Sequence, residues 1–271
     1  MNLALIPLYL VLGAAVGFMS GLLGIGGGFT IVPVLMEVFS REAFAAEHVL
    51  PMAIGTSAAT IIFTTFASTR AHHAHGAVAW PIVRSMAPGL VIGSLIGPQI
   101  ASALPLWLLA AVFGTFTWFT ALRLLRNRPP KATRELPGTV ALFGVGAGVG
   151  VAASMVGTGG AFLAVPFMIR CNVKAHAAVA TSAALGLPIA VAASAGYILA
   201  GFRKSGLPPY SIGYIYLPAL AAIVASSMLL APAGARLAHA WPVSRLRKAF
   251  AAMLFVLGGF MWWKAFGRFQ G

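Results

Sequence analysis

Two glycine-rich runs limit what this chain can fold into. The first reads Gly21-Leu22-Leu23-Gly24-Ile25-Gly26-Gly27-Gly28-Phe29-Thr30-Ile31-Val32-Pro33, and the second Ser154-Met155-Val156-Gly157-Thr158-Gly159-Gly160-Ala161-Phe162-Leu163-Ala164-Val165-Pro166. Pro33 and Pro166 lie 133 positions apart. The same offset pairs Gly13 with Gly146, Gly17 with Gly150, Gly24 with Gly157, Gly26 with Gly159, Gly27 with Gly160 and Phe29 with Phe162. Both runs interrupt long apolar stretches. Glycine lacks the Cβ that restricts φ, so such a run breaks a helix and lets a ligand approach the backbone. In a bilayer, broken backbone survives only where protein or a water-filled cavity satisfies its polar groups. Paired breaks at matching places in two halves are the sequence mark of a transporter binding site.

The surrounding composition is that of a membrane protein. Hydrophobic residues make up 60% of the 271 positions and charged residues 8%, against about 25% charged in ordinary soluble domains. Apolar stretches fall near 3–39, 50–69, 79–104, 106–125, 137–169, 175–202, 209–238 and 246–267. The expected fold is therefore all-α and polytopic, with about eight hydrophobic segments in two four-segment repeats. The expected division is a first repeat over 1–126, a basic linker over 127–136 carrying Pro129 and Pro130, and a second repeat over 137–271. A further echo supports the repeat, since Gly55-Thr56-Ser57-Ala58-Ala59 resembles Ala180-Thr181-Ser182-Ala183-Ala184. The first basic residue is Arg41, so the first apolar segment lacks the positive flank of a secretory signal and is expected to be retained.

The first segment of each half has an awkward length. As one helix, 3–39 would reach about 55 Å, while the hydrocarbon core is about 30 Å thick. The segment is either a tilted, broken crossing or a hairpin that turns back at the glycines. Counting Lys and Arg favours the hairpin. Hairpins put Arg41, Arg203, Lys204, Lys264 and Arg268 on one side and the other thirteen of the 18 basic residues opposite; single crossings divide them eleven to seven. The hairpin reading inverts the second half relative to the first and leaves both termini outside the cytoplasm.

A helix that starts at a break offers unpaired N–H groups and the positive end of its dipole, which together suit an anion. Gly26, Gly27, Gly28 and Phe29 are the candidate donors in the first half, and Thr158, Gly159, Gly160 and Ala161 in the second. Thr56, Ser57, Thr181 and Ser182 follow as hydroxyl donors, which bind an oxyanion without burying a charge. Thr30, Ser20, Ser154 and the hydroxyl of Thr158 are weaker candidates of the same kind. The competing reading is close helix packing through small residues, with hydroxyls bonded to their own helices. Glu37 and Arg170 occupy matching positions near the membrane boundary, and Gln99 is a polar residue within the third segment. His72, His73 and His75 lie beside Arg70 without acidic or cysteine partners nearby, so a metal site is not expected. Cys171 is the only cysteine. No paired carboxylates or hydrolase motif favour an enzyme, and no GK[ST] follows the glycines. The net charge of +14, spread through short connections, fits an anionic cargo or inner-leaflet anchoring and not a nucleic-acid surface.

At GLLGIGGGFTIVPVL (21–35), GTSAAT (55–60), SMVGTGGAFLAVPFM (154–168) and ATSAAL (180–185), the chain resembles the sulfite exporter TauE/SafE family of membrane transporters, the 4-toluene sulfonate uptake permease-like proteins. The resemblance spans essentially the whole chain. It implies transport of small sulfur-containing anions such as sulfite or organosulfonates, by an inner-membrane protein of bacteria that needs no cofactor. The family pattern falls on Gly24, Gly26, Gly27, Gly28 and Pro33, and on Gly157, Gly159, Gly160 and Pro166. Thr158 stands where Ile25 does and Ala161 where Gly28 does, which makes the two half-sites chemically unequal. The partners expected are a small anionic substrate and the lipid bilayer, with no nucleic acid; a homo-oligomer, an uptake permease for another anion and a non-transporting assembly factor stay open.

Overall fold

The computed structural model describes residues 5–23, 27–42, 44–126, 133–202, 204–240 and 243–267. The described residues form ten helices in chain order. They are α1 (Ile6–Leu23), α2 (Gly28–Arg41), α3 (Ala46–Ala74), α4 (Trp80–Ala103), α5 (Leu106–Arg126), α6 (Thr139–Val156), α7 (Ala161–Arg170), α8 (Ala175–Phe202), α9 (Leu217–Ala240) and α10 (Val243–Gly267). Two short strands, β1 (Ser211–Ile212) and β2 (Ile215–Tyr216), pair antiparallel just before α9, with Ser211 opposite Tyr216. The chain is an all-α, polytopic membrane protein. α3, α4, α5, α6, α8 and Lys248–Gly267 of α10 are each long and apolar enough to span a bilayer. A helix satisfies its own amides and carbonyls, which is why lipid admits it.

The breaks follow local chemistry. Leu104 is extended (φ −75°, ψ 145°) because the residue before a proline is pushed out of the helical region, and α4 ends there, ahead of Pro105. The eight apolar segments become ten helices because the two glycine runs split the first segment of each half into α1/α2 and α6/α7.

Each split folds back as a hairpin. The Tyr9 ring, near the start of α1, lies 6.5 Å from that of Phe39, near the end of α2, and the Tyr9 hydroxyl donates to Glu42 at 2.6 Å. Midway along the pair, Gly27 lies against the Val16 side chain. In the second half the Arg170 carbonyl, ending α7, accepts from the N–H groups of Thr133 and Arg134, ahead of α6, at 3.1 Å. There Gly160 lies against Val149. Gly27–Val16 and Gly160–Val149 are the same contact, 133 residues apart.

The two halves exchange elements. α1 packs along α9, and α6, the equivalent of α1, packs along α4, the equivalent of α9. Gly13 and Gly17 bring α1 against Ile223, Ser226 and Ser227 of α9, while their counterparts Gly146 and Gly150 bring α6 against Met86, Leu90 and Ser94 of α4. Among the remaining large contacts, α3 with α8 and α5 with α10 join equivalent helices running in opposite directions, while α4 also packs on α8. Gly55 of α3 meets Tyr197 of α8, and Gly186 of α8 meets Thr65 of α3. Gly114 of α5 lies against Gly258 and Trp262 of α10, and Gly258 lies in turn against Trp118. These contacts align Gly114-Thr115-Phe116-Thr117-Trp118-Phe119-Thr120-Ala121 with Gly258-Gly259-Phe260-Met261-Trp262-Trp263-Lys264-Ala265, a stretch of the repeat that extends the motifs of the first segments.

This interlocking rests on close backbone approach. A Cβ on Gly150 would meet the Leu90 carbonyl oxygen at 2.5 Å. Gly150→Leu is expected to force α4 and α6 apart and to destabilise the protein by about 1–3 kcal/mol. A thermal melt of the purified variant in detergent checks this, and an unchanged midpoint contradicts the packing described.

Candidate functional site

The break in the second half is built by two left-handed glycines. Gly157 (φ 64°, ψ 42°) ends α6, its N–H donates to the Ser154 carbonyl at 3.2 Å, and the Thr158 N–H reaches the Ala153 carbonyl at 3.0 Å. This Schellman arrangement satisfies carbonyls that a helix end leaves open. Gly160 (φ 72°, ψ −2°) then starts α7, and its carbonyl accepts from Leu163 and Ala164 at 3.0 Å. The N–H groups of Ala161 and Phe162 are left at the helix start. The Tyr197 hydroxyl, from α8, also donates to the Ser154 carbonyl at 3.2 Å.

In the first half the Gly27 carbonyl accepts from Thr30 and Ile31 at 3.0 Å, and α2 begins at Gly28, so Gly28 and Phe29 carry the first-turn N–H groups. Gly26 lies outside the described residues, as does the Ser20 side chain. The two breaks meet. Gly28 lies directly against the Gly157 carbonyl, leaving no room for a Cβ. The equivalent rings of Phe29 and Phe162 meet edge to face, 5.3 Å apart. Gly27, Gly28, Phe29, Thr30 and Gly157 through Gly160 are all buried.

Two of the hydroxyl candidates join this centre. Ser57 donates to the Gly157 carbonyl at 3.1 Å, tying α3 of one half to the break of the other. Thr158, only 5% exposed, holds its Oγ1 buried with no hydrogen-bond partner among the described residues. A buried hydroxyl without a partner forfeits a hydrogen bond that water would supply, roughly 1–3 kcal/mol, and natural interiors seldom leave one so. Gly159 packs loosely against Ile61, Thr65 and Gly186.

The remaining candidates have structural partners. Thr56 Oγ1 accepts from the Tyr216 N–H at 3.0 Å, just before α9. Thr181 Oγ1 accepts from the Ala79 N–H at 3.0 Å, just before α4. The equivalent threonines therefore serve equivalent ends: each satisfies an amide at the start of the other half's fourth helix. Ser182 donates to Val179 of its own helix at 2.8 Å. Ser154 Oγ bonds Val151 at 3.1 Å within α6, and Thr30 is buried in α2. Gln99 donates to the Gly196 carbonyl at 3.0 Å, joining α4 to α8. His73 accepts from the Trp80 indole at 3.2 Å, and among the described residues no three metal-ligating side chains gather.

Sequence reading missed two polar groupings at one end of the molecule. Glu42 accepts from Tyr9 at 2.6 Å and from Tyr216 at 3.5 Å. Burial first, then the Glu42 charge, pushes the Tyr216 hydroxyl up to about 12, so it stays protonated and donating. Glu37 pairs with Lys264 of α10 at 3.1 Å. The available signal was compositional: only four acids exist in the chain, and Lys264 is the one charged residue between Ala249 and Gly267.

Fold and site together define a multi-pass, all-helical membrane protein built around two broken hairpins that meet at their glycines. The profile of the family described as Sulfite exporter TauE/SafE matches residues 9–261, and the chain belongs to that family. A Haemophilus influenzae protein named "Probable membrane transporter protein" is 33% identical over 254 residues, covering 93% of this chain and 96% of its own. A protein of the same description from Methanocaldococcus jannaschii is 23% identical, covering 96% of each chain. The Bacillus subtilis "Probable membrane transporter protein YdhB" is 25% identical, covering 69% of this chain and 76% of its own. No solved structure matches. Family and relatives support a membrane transporter and suggest no enzyme.

Replacing Thr56 with Val strands a buried amide, and replacing Thr181 with Val strands a half-buried one. Both variants are expected to lose about 1–3 kcal/mol, and to lose it about equally, because the two hydroxyls do the same work in the two halves. Thermal melts of the pair in detergent check this. A loss in one variant only contradicts the equivalence.

Proposed function

We propose that the chain transports small sulfur-containing anions, sulfite or organosulfonates, and exports them by alternating access across the bacterial cytoplasmic membrane. One observation carries this reading: two helix starts converge on a buried centre where Thr158 holds an unpartnered hydroxyl. The dipoles and first-turn N–H groups of α2 and α7 favour a negative ligand, and Thr158 supplies a donor that sits in one half only. Such a site holds an oxyanion without a fixed full charge, and so allows release.

The opposed directions of α3/α8 and α5/α10 support an inverted repeat, with the division at 127–136 and the twofold lying in the membrane plane. Arg41, Lys204 and Lys264 belong to the end where α1 begins, and Arg70, Arg84, Arg123, Arg126, Arg134, Arg170 and Lys174 to the other. With the positive-inside rule, this supports an N-terminus outside the cytoplasm. The buried centre would open by movement of one half's hairpin and fourth helix against the other. An inside-negative potential would expel a monoanion with about 2.3 kcal/mol per 100 mV.

A packing role alone accounts for Gly13, Gly17, Gly146 and Gly150, and is what a non-transporting assembly factor would need. It gives no reason for an unpartnered Thr158 hydroxyl.

Thr158→Val keeps the side-chain shape and removes the hydroxyl. In reconstituted vesicles it is expected to reduce saturable sulfite flux at least about tenfold, the effect of losing roughly 1.4 kcal/mol, with the melting midpoint unchanged or raised. Full flux in this variant contradicts the site. Gly160→Ala is a poorer probe, because φ there is 72° and an L side chain is strained by about 1–2 kcal/mol, so lost flux would be confounded with lost folding.

A further inference from the structure

Lys264 is 3% exposed, in the last apolar helix. Its ammonium lies 5.3 Å from the Phe260 ring and 5.7 Å from that of Trp263, and 3.1 Å from Glu37 Oε2. The other carboxylate oxygen of Glu37 faces Arg41 at 3.3 Å, and the Glu37 side chain is 35% exposed. The pair thus has a sheltered cation and an accessible anion. It joins α2, the helix that starts at the glycine break, to α10.

Packing does not demand this pair. The repeat places Thr120 where Lys264 stands and Arg170 where Glu37 stands. Thr120 satisfies its hydroxyl on Phe116 of its own helix at 2.8 Å, and Arg170 is exposed. One half thus sets a buried ammonium against a half-exposed carboxylate where the other uses a hydroxyl and a surface cation. A buried ion pair is a poor stabiliser compared with apolar side chains of similar size, and ionisable groups within membrane helices mark pathways and relays.

We propose that Lys264 is a second anion-binding residue and Glu37 its displaceable counter-ion, through which a proton is coupled to the passage of a small oxyanion. This rests on the reading of the chain as an anion transporter. The carboxylate on Lys264 holds the place that a sulfonate or sulfite oxygen would take. An arriving monoanion takes over the ammonium. Glu37, released, binds one proton through its accessible face. Charge balances: ion pair, anion and proton become an ammonium–anion pair and a neutral carboxyl. The proton returns to water when the anion leaves and Glu37 closes again on Lys264. The other charged or titratable groups on neighbouring elements are engaged elsewhere: Tyr9 of α1 donates to Glu42, while on α3 Glu47 lies 3.4 Å from His48, whose ring is also 3.0 Å from the Ser205 carbonyl. To take up the proton Glu37 must leave Arg41 as well, because a guanidinium at 3.3 Å favours the ionised carboxylate.

The test is proton uptake by the purified protein in weakly buffered detergent solution, followed with a pH indicator during titration with methanesulfonate, which stays a monoanion throughout. The expected result is saturable uptake of one proton for each anion bound. Glu37→Gln should bind the anion with no proton taken up. The double variant Glu37→Gln/Lys264→Met, which buries no unpaired charge, should fold, take up no proton and bind methanesulfonate at least about tenfold more weakly. Binding to the wild type without proton uptake overturns the proposal, as does no methanesulfonate binding at all, or uptake that persists in Glu37→Gln. Sulfite flux in vesicles separates the two readings. Flux without proton uptake removes the coupling pair and leaves the glycine site; proton uptake without flux of sulfite or methanesulfonate removes the transport reading and leaves the pair.

Discussion

Everything in this fold depends on where the backbone goes when a helix stops inside a membrane. Lipid offers no partner to a free amide or carbonyl. The chain breaks twice at depth, between α1 and α2 and between α6 and α7. At the second stop the Schellman turn accounts for Ala153 and Ser154, and Ser57 from the other half donates to the Gly157 carbonyl at 3.1 Å. The first helical residue of one break then rests against the last carbonyl of the other. The second half's break is completed by Ser57 and Gly28 of the first, which ties the two halves together at their centre.

The same exchange recurs at every level. Thr56 and Thr181 each satisfy an amide of the opposite half. α1 and α6 each lie along the opposite half's fourth helix, through glycines at matching positions. Where this symmetry fails, chemistry is left over. Thr158 replaces Ile25 and has a hydroxyl without a partner; Lys264 replaces Thr120 and needs Glu37. Both departures put polar atoms where the sister half manages with apolar or self-satisfied ones. Symmetric positions carry the architecture, and asymmetric ones carry the functional readings.

Much of this was legible in the sequence, for physical reasons that differ by residue. Composition and segment length gave the membrane class. The glycine–proline runs gave the two breaks, because glycine takes the left-handed geometry of Gly157 and Gly160 without the strain a Cβ adds. The length of 3–39, together with the asymmetry of basic residues, favoured the hairpin over the crossing, and Tyr9 against Phe39 and Glu42 has the geometry of a hairpin. Hydroxyl roles were not legible. Thr56 and Ser57 are neighbours, yet one caps a distant helix and the other meets the break, and only three-dimensional placement separates them. The match of α5 with α10 escaped notice because Thr, Phe and Thr in one stand opposite Met, Trp and Lys in the other, leaving a Gly-x-Phe-x-Trp skeleton. Lys264 entered only the count of basic residues on one side, because nothing in its own helix reveals that Glu37 reaches it from 227 positions away.

The central claim is that the two helix starts form one anion site. It is tested most directly by backbone amide resonances of protein labelled with 15N at glycine, alanine and phenylalanine, followed during titration with sulfite. Saturable shifts at Gly28, Phe29, Ala161 and Phe162, sharing one midpoint, are the predicted result. Shifts confined to amides near the terminal arginines, with those four unmoved, would contradict it and leave the glycine breaks a device for packing helices.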